Sequence, residues 1–227
     1  MDKLLPELKI IAHAENDFTS SFAVPRQSGL TKNVTRIVFE PEICKEGILK
    51  GLQDFSHIWI LWIFSCDVGK EWSPTVRPPK LGGNVRKGVF ATRSPLRPNP
   101  IGLSSAKILS INASGKNQYI EVEGADLING TPIIDVKPYV PYCDCHPEAL
   151  GGFSDPEKHA LEVQFTDSAA KNLSDDDLLS VRDILALDPR PGYSRDENKV
   201  YRFEYSDYNI SFSVKDQTLT VLSAEKK

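Results

Sequence analysis

Long apolar runs are missing from this sequence. Its longest is Ile58–Phe64, far short of the roughly 20 residues that a membrane-spanning helix needs. The start, MDKLLPELKI, lacks the apolar core and small-residue cleavage site of a secretory signal. These two absences point to a soluble, cytoplasmic protein with no membrane partner. Cysteine is scarce as well: Cys44, Cys66, Cys143 and Cys145 form no C-x-x-C pair. Cys143-Asp-Cys145-His146 has no second ligand pair after it, so free thiols and no metal are expected.

The common enzymatic signatures are absent too. No G-x-G-x-x-G follows a strand, and there is no phosphate-cradling G-x-x-x-x-G-K-[ST]. G-x-S-x-G and H-E-x-x-H are also missing. His13, His57, His146 and His159 show no ligand or triad spacing, which leaves a serine hydrolase without support. Acidic residues are absent from one especially long stretch. Nothing between Glu71 and Glu121 is acidic, while Arg77, Lys80, Arg86, Lys87, Arg93, Arg97, Lys107 and Lys116 all lie there. A chain of formal net charge −4 can thus present one basic face to a polyanion.

What is present in the 227 residues reads mainly as short strands. Leu8–His13, Thr35–Glu40, Lys87–Thr92, Ser104–Ile111, Tyr119–Val122 and Pro132–Val136 are candidates. His57–Phe64 is continuous enough to suit a strand buried on both faces. Lys45–Phe55 places Ile48, Leu49, Leu52 and Phe55 at helical spacing. Close-set short strands imply a small β-barrel or sandwich. The pattern loosens over Cys143–Asp155, read as a linker, so the expected units are 1–145 and 156–224. In the second, His159–Phe165 is a strand, and Ser174 with Asp177 caps a helix that stops at Asp188-Pro189-Arg190-Pro191. Val200–Tyr205, Asn209–Val214 and Thr218–Leu222 form a three-stranded meander. The whole is mainly β, with a smaller α+β second unit.

Val89–Ser104 (VFATRSPLRPNPIGLS) concentrates polar residues on a proline-stiffened loop, the usual setting of a site. The residues alone fit a ligand site or a stiff connection with solvated arginines. Pro25-Arg26-Gln27-Ser28-Gly29 is similar: Gln27 offers donor and acceptor for a purine edge, or lies in a surface turn. In Asp126–Pro132 the Asn129-Gly130 pair is a turn signal by itself. Asp126 has no turn duty, and its carboxylate suits a ribose diol or an ammonium group.

Together these segments resemble the TrmO (TsaA-like) family. The likeness rests on PRQSG (Pro25–Gly29), GLQDFSHIWIL (Gly51–Leu61), VRPPKLGGN (Val76–Asn84) and VFATRSPLRPNPIGLS (Val89–Ser104). It continues in DLINGTPIIDVKPYVPY (Asp126–Tyr142) and DPRPGY (Asp188–Tyr193), covering nearly the whole chain. The resemblance implies a β-barrel methyltransferase unrelated to Rossmann-type enzymes. It implies S-adenosylmethionine as cofactor, a homodimer, and methylation of N6 of threonylcarbamoyladenosine beside the tRNA anticodon.

Carried onto this chain, the resemblance places the cofactor against Pro25, Arg26, Gln27, Ser65, Cys66, Arg93, Leu103, Asp126, Leu127, Ile128 and Asn129. Ser65-Cys66 stand where the family commonly has His-Gln, and Asn129 stands where it has a second acid. No catalytic base is assigned. Arg93 and Lys137 are the cations expected to favour a deprotonated N6. Lys80, Arg86, Lys87, Arg97 and Arg190 are the expected contacts to tRNA phosphates or the threonyl carboxylate. Two alternatives share the fold: a non-catalytic RNA-binding barrel, and a methyltransferase acting on another nucleobase or small molecule.

Overall fold

The computed structural model describes residues 7–154, 160–190, 196 and 199–227. In chain order the first strands are β1 (Ala12–Glu15), β2 (Val34–Phe39) and β3 (His57–Ile63). A two-stranded hairpin follows, β4 (Thr75–Val76) with β5 (Lys87–Gly88). Then come β6 (Ile101–Asn112), β7 (Tyr119–Glu123), β8 (Pro132–Pro138) and a one-turn helix α1 (Pro141–Asp144). The remainder holds β9 (Glu162–Phe165), α2 (Asp167–Asn172), α3 (Asp175–Ala186), β10 (Tyr201–Tyr205), β11 (Tyr208–Lys215) and β12 (Thr218–Lys226).

Six strands close into an antiparallel barrel in the order β1-β2-β7-β6-β3-β8. A barrel this narrow is filled by its own side chains. Ala12, Ala14, Ile37, Ile58, Ile60, Ala106, Ile120, Val122 and Ile133 do so here, almost without exposure. Small alanines on β1 and β6 leave room for branched residues on their neighbours. The mainly β, non-Rossmann architecture is the one the sequence implies.

Several local expectations are corrected. Pairing in β1 starts at Ala12, not Leu8; Leu8 and Ile10 are exposed. The stretch 45–55 is not an α-helix. Gly47 and Gly51 both take a left-handed φ, of 85° and 87°, which interrupts the helical path twice and leaves only a 3-10 turn at Leu52–Asp54. β3 is buried on one face, not two. Ile58, Ile60 and Trp62 point inward, and the alternate residues are half-buried, with Trp59 lying 5.4 Å from the Tyr139 ring. Lys87–Thr92 is a strand only at Lys87–Gly88. The chain then turns through Val89–Ala91, where the Thr92 hydroxyl donates to the Val89 carbonyl (2.8 Å).

In the second sheet the meander β10-β11-β12 stands as expected, and β9 adds to it parallel to β12. Its expected start, His159, lies outside the described residues, as does Pro191 at the helix stop. Ser174 caps α3, its Oγ accepting from the Asp177 amide (3.1 Å) and donating to the Asp177 carboxylate (2.7 Å). Sequence reasoning missed α2, which Thr166 caps through the Ala169 amide (3.2 Å). α2 and α3 cover one face of the sheet with Ala169, Leu173, Val181, Ile184 and Leu185. This second core also takes in Phe18 and Ala23 from the β1–β2 connection. Among the described residues no helix is long and apolar enough to cross a membrane.

Candidate active site

The antiparallel order brings the end of β1, the end of β3, the start of β6 and the β7–β8 turn to the same end of the barrel. A cavity of about 680 Å³ opens there. Ligand sites favour such barrel mouths, and the volume lies in the range of a cofactor pocket. Its wall takes Pro25–Gln27 from the β1–β2 connection, Trp62–Asp67 around the end of β3, and Phe90, Arg93 and Arg97–Asn99 from the proline-stiffened loop. Ile101–Leu103 of β6, and Asp126, Ile128 and Thr131 of the β7–β8 turn, complete it.

One face is a hydrogen-bonded chain set by strand register. Trp62 on β3 lies opposite Gly102 on β6, and Ile60 opposite Ser104. The Trp62 indole donates to the buried Ser104 hydroxyl (2.9 Å), which donates to Asp126 (2.5 Å). A Cβ at Gly102 would fall 2.2–2.5 Å from the Trp62 ring, so this glycine makes the space for the indole. Phe64 packs on Trp62 at 4.2 Å, giving the cavity an aromatic floor. Burial pushes the Asp126 carboxyl above its ordinary range. The Ser104 hydrogen bond, backbone amides and the positive field of Arg93 act in the opposite direction.

The facing wall is cationic. Arg93 Nη1 donates to Gln27 Oε1, and Gln27 Nε2 donates to the Arg26 carbonyl (2.5 Å). Arg97 folds back onto the Thr92 carbonyl (3.2 Å), with its guanidinium 6.0 Å from the Phe90 ring centroid. The Pro25–Gly29 loop is drawn against the β7–β8 turn by the Gly29 amide, which donates to the Gly124 carbonyl (2.8 Å). Gly124 takes φ 81°, with Gly29 Cα 3.2 Å from where its Cβ would stand.

Of the residues expected at a cofactor site, Pro25, Arg26, Gln27, Ser65, Cys66, Arg93, Leu103, Asp126 and Ile128 all line this cavity. Leu127 and Asn129 do not. Leu127 is fully buried in the barrel core, and its carbonyl accepts from Asn16 Nδ2 (2.9 Å). Asn129 is exposed; its Oδ1 accepts from the Asn16 amide (3.1 Å), which pins the turn. Lys137 lies on β8, paired with Asp135 at 2.7 Å, and does not line the cavity.

Among the expected RNA contacts, Arg97 lies in the cavity wall, while Arg86 and Lys87 sit on the β4–β5 hairpin. Lys80 lies in the loop joining those two strands. Arg86 donates to Thr75 Oγ1 (2.7 Å), and Lys87 Nζ lies 5.9 Å from the Phe153 ring centroid. Arg190 is not a free cation: its side chain is 15% exposed and clipped to Asp188 by two hydrogen bonds, of 2.7 and 2.8 Å. Sequence reasoning marked Gly102 and Ser104 only as part of the Val89–Ser104 loop and Trp62 only as part of an apolar strand; it missed their link to Asp126. The four cysteines are free, and the described residues hold no cluster of three His, Cys, Asp or Glu fit for a metal.

Comparison with known proteins bears on the family and the fold. The tRNA-methyltransferase O N-terminal domain matches residues 13–145, and the TrmO C-terminal domain matches 158–227. A tRNA (adenine(37)-N6)-methyltransferase of Escherichia coli K12 is 36% identical over 220 residues, covering 92% of this chain and 94% of that protein. Its counterpart in Eikenella corrodens is 42% identical over 161 residues, 70% of this chain and 91% of that one. A crystal structure of TrmO from Pseudomonas aeruginosa superposes over 100% of both chains with TM-score 0.81 at 26% identity. The chain belongs to the tRNA-methyltransferase O family of enzymes.

Proposed function

We propose that this protein methylates N6 of adenosine 37 in tRNA, in its threonylcarbamoyl form, using S-adenosylmethionine. The names of the relatives support the adenine and the position, and two further relatives are described as S-adenosylmethionine-dependent or S-adenosylmethionine-binding. The observation that carries the reading is the barrel-mouth cavity, which the Asp126 carboxylate, the cations Arg26, Arg93 and Arg97, and the Trp62–Phe64 pair all line. This donor set fits the cofactor. Asp126 suits its ammonium group or ribose hydroxyls, Arg26 and Arg93 its carboxylate, and Trp62 and Phe64 its apolar parts.

When bound, S-adenosylmethionine supplies a methyl group on a cationic sulfur, open to in-line displacement. The chain's task is alignment, which can contribute about 7–11 kcal/mol to lowering the barrier. In the modified adenosine N6 is attached to a carbamoyl carbon as well as the purine. Its lone pair is delocalised and its N–H acidic. Arg93, fixed by Gln27, favours the deprotonated nitrogen as any nearby cation favours an anion. Water takes the proton, and no side chain is assigned as base. Arg97, beside the cavity, suits the threonyl carboxylate.

Two copies are expected to pair at this mouth. Leu103 and Phe90 stand 52% and 78% exposed beside it, which supports closure by a second chain. The division at 1–145 and 156–224 remains part of the reading, supported by two hydrophobic clusters, the second of which also takes in Phe18 and Ala23 from the β1–β2 connection. A cytoplasmic location is part of the same reading, supported by the bacterial tRNA-modifying relatives.

The tRNA surface is testable by salt. Binding to tRNA, measured by filter retention, should weaken steeply as salt rises, because neutralised phosphates release counterions. The Arg86→Ala/Lys87→Ala variant should reduce the log–log slope by about one for each phosphate it no longer reaches. Binding that ignores salt, or an unchanged slope, removes the hairpin from the interface. Cofactor binding is tested by calorimetric titration of S-adenosylmethionine, with one site per chain expected. Absence of binding at millimolar cofactor leaves only the non-catalytic RNA-binding reading.

A further inference from the structure

The cationic wall of the cavity is held in place from the second unit. The β1–β2 connection leaves the barrel, buries Phe18 and Ala23 among β10–β12, and packs Phe22 against Phe203 (6.0 Å) and Phe212 (6.2 Å). Two hydrogen bonds fasten it there: the Ser206 amide donates to the Asp17 carbonyl (2.8 Å), and the Ser20 hydroxyl to the Glu204 carbonyl (3.3 Å). The chain then returns to the cavity as Pro25-Arg26-Gln27.

Arg26 is gripped from the same side. Just past α3, Asp188 takes a left-handed φ of 48° and accepts both the Nε and an Nη of Arg190. This clip folds the segment into a tight loop whose Asp188 and Arg190 carbonyls receive one Nη of Arg26, at 3.3 and 3.0 Å. Carbonyls are neutral acceptors, so Arg26 is oriented without losing its charge. Gln27 comes next in the chain, bonded to the Arg26 carbonyl and to Arg93.

We propose that the Asp188–Arg190 clip is a positioning device for the cofactor site, acting through Arg26 on the Gln27–Arg93 pair. Arg190 thus serves cofactor binding and contacts no tRNA phosphate. An ordinary helix stop needs no such clip, because the Leu187 and Asp188 amides already close the end of α3 onto Ile184 and Leu185. The clip's remaining output is the pair of carbonyls that Arg26 uses.

This inference rests on the proposal that the cavity takes S-adenosylmethionine, and the test separates the two. Full-length Arg190→Lys keeps a cation but loses the two-pronged grip. Asp188→Asn keeps a residue that tolerates left-handed φ but loses the charge. Titrating S-adenosylmethionine into each by calorimetry gives affinity and the fraction of competent sites separately. Both variants should bind with unchanged stoichiometry but about tenfold more weakly, the size of one lost charged hydrogen bond. Arg26→Lys should lose a similar amount, and Arg26→Lys/Arg190→Lys no more than Arg26→Lys alone, since both act on one link.

A merely structural clip would reduce stoichiometry or thermal midpoint and leave the affinity of the folded fraction alone. That outcome overturns the inference, as do fully additive losses in the double variant. A wild-type protein that binds no S-adenosylmethionine overturns the functional reading itself, and the inference with it.

Discussion

Replacing Gly102 by alanine should nearly abolish binding of S-adenosylmethionine and lower the thermal midpoint. The added Cβ would stand 2.2 Å from Trp62 Cε2 and 2.4 Å from Cζ2, well inside van der Waals separation. The indole cannot keep its place. It is an inward residue of β3, held by Ser104 and packed against the tilted Phe64 ring, so displacing it disturbs the barrel end and the cavity floor together. Overpacking of this kind costs about 1–3 kcal/mol. The functional loss should be larger than that figure suggests, because Ser104 loses its donor and the hydroxyl that holds Asp126 is freed to turn. Gly88→Ala is the control: its Cβ meets nothing within 4 Å and its φ is ordinary. Differential scanning calorimetry and cofactor titration of both variants check the prediction. A Gly102→Ala protein with wild-type affinity would show that the Trp62–Ser104–Asp126 chain is not part of the site.

Asp126→Asn should give a protein that loses most cofactor affinity yet is more heat-stable at neutral pH. Asparagine can still serve Ser104, but it carries no charge to desolvate. The folded protein holds the Asp126 proton more tightly than the unfolded chain does, since burial raises this carboxyl. Ionisation therefore penalises the folded state. The penalty is full above the folded-state value and vanishes below the unfolded value near 3.9. The stabilisation from Asp126→Asn should thus be greatest at neutral pH and fade as the solution is acidified. Such an exchange of stability for function is typical of sites built around a desolvated charge. Thermal midpoints measured between pH 3 and pH 8 check it. A variant less stable than wild type at neutral pH would mean that Arg93 and the hydrogen bonds outweigh burial.

The barrel was legible where the strands alternate cleanly, as in β2 and β7, because period-two burial is written directly into the residues. It was less so in β3. The outward residues of that strand, Trp59 and Leu61, are as apolar as its inward ones, and the sequence could not show that only one side faces a core. The 45–55 stretch misled for the opposite reason: its helical spacing is real, but Gly47 and Gly51 spend their freedom on left-handed turns. The Ser174 cap was readable because it is local, acting over three residues.

The site divides along the same line. Pro25–Gln27, Arg93 and Asp126 lie on loops whose composition marks them. Gly102 and Ser104 fall within the marked Val89–Ser104 loop and Trp62 within an apolar strand, but the link from Trp62 through Ser104 to Asp126 was not legible, since it exists only through the pairing of β3 with β6. Arg190 and Lys137 were read as available cations. Each has an aspartate two residues before it, Asp188 and Asp135, and the structure pairs both. That spacing was the signal: on a strand, residues two apart share a face, and in a tight loop they can clip.

The most direct test of the assigned reaction is to weigh the product. The protein is incubated with S-adenosylmethionine and tRNA carrying threonylcarbamoyladenosine, alongside tRNA lacking it, and each is digested to nucleosides for mass spectrometry. A gain of one methyl group on threonylcarbamoyladenosine alone is the predicted result. No gain on either tRNA, or a gain on plain adenosine as large as on the modified one, would contradict it.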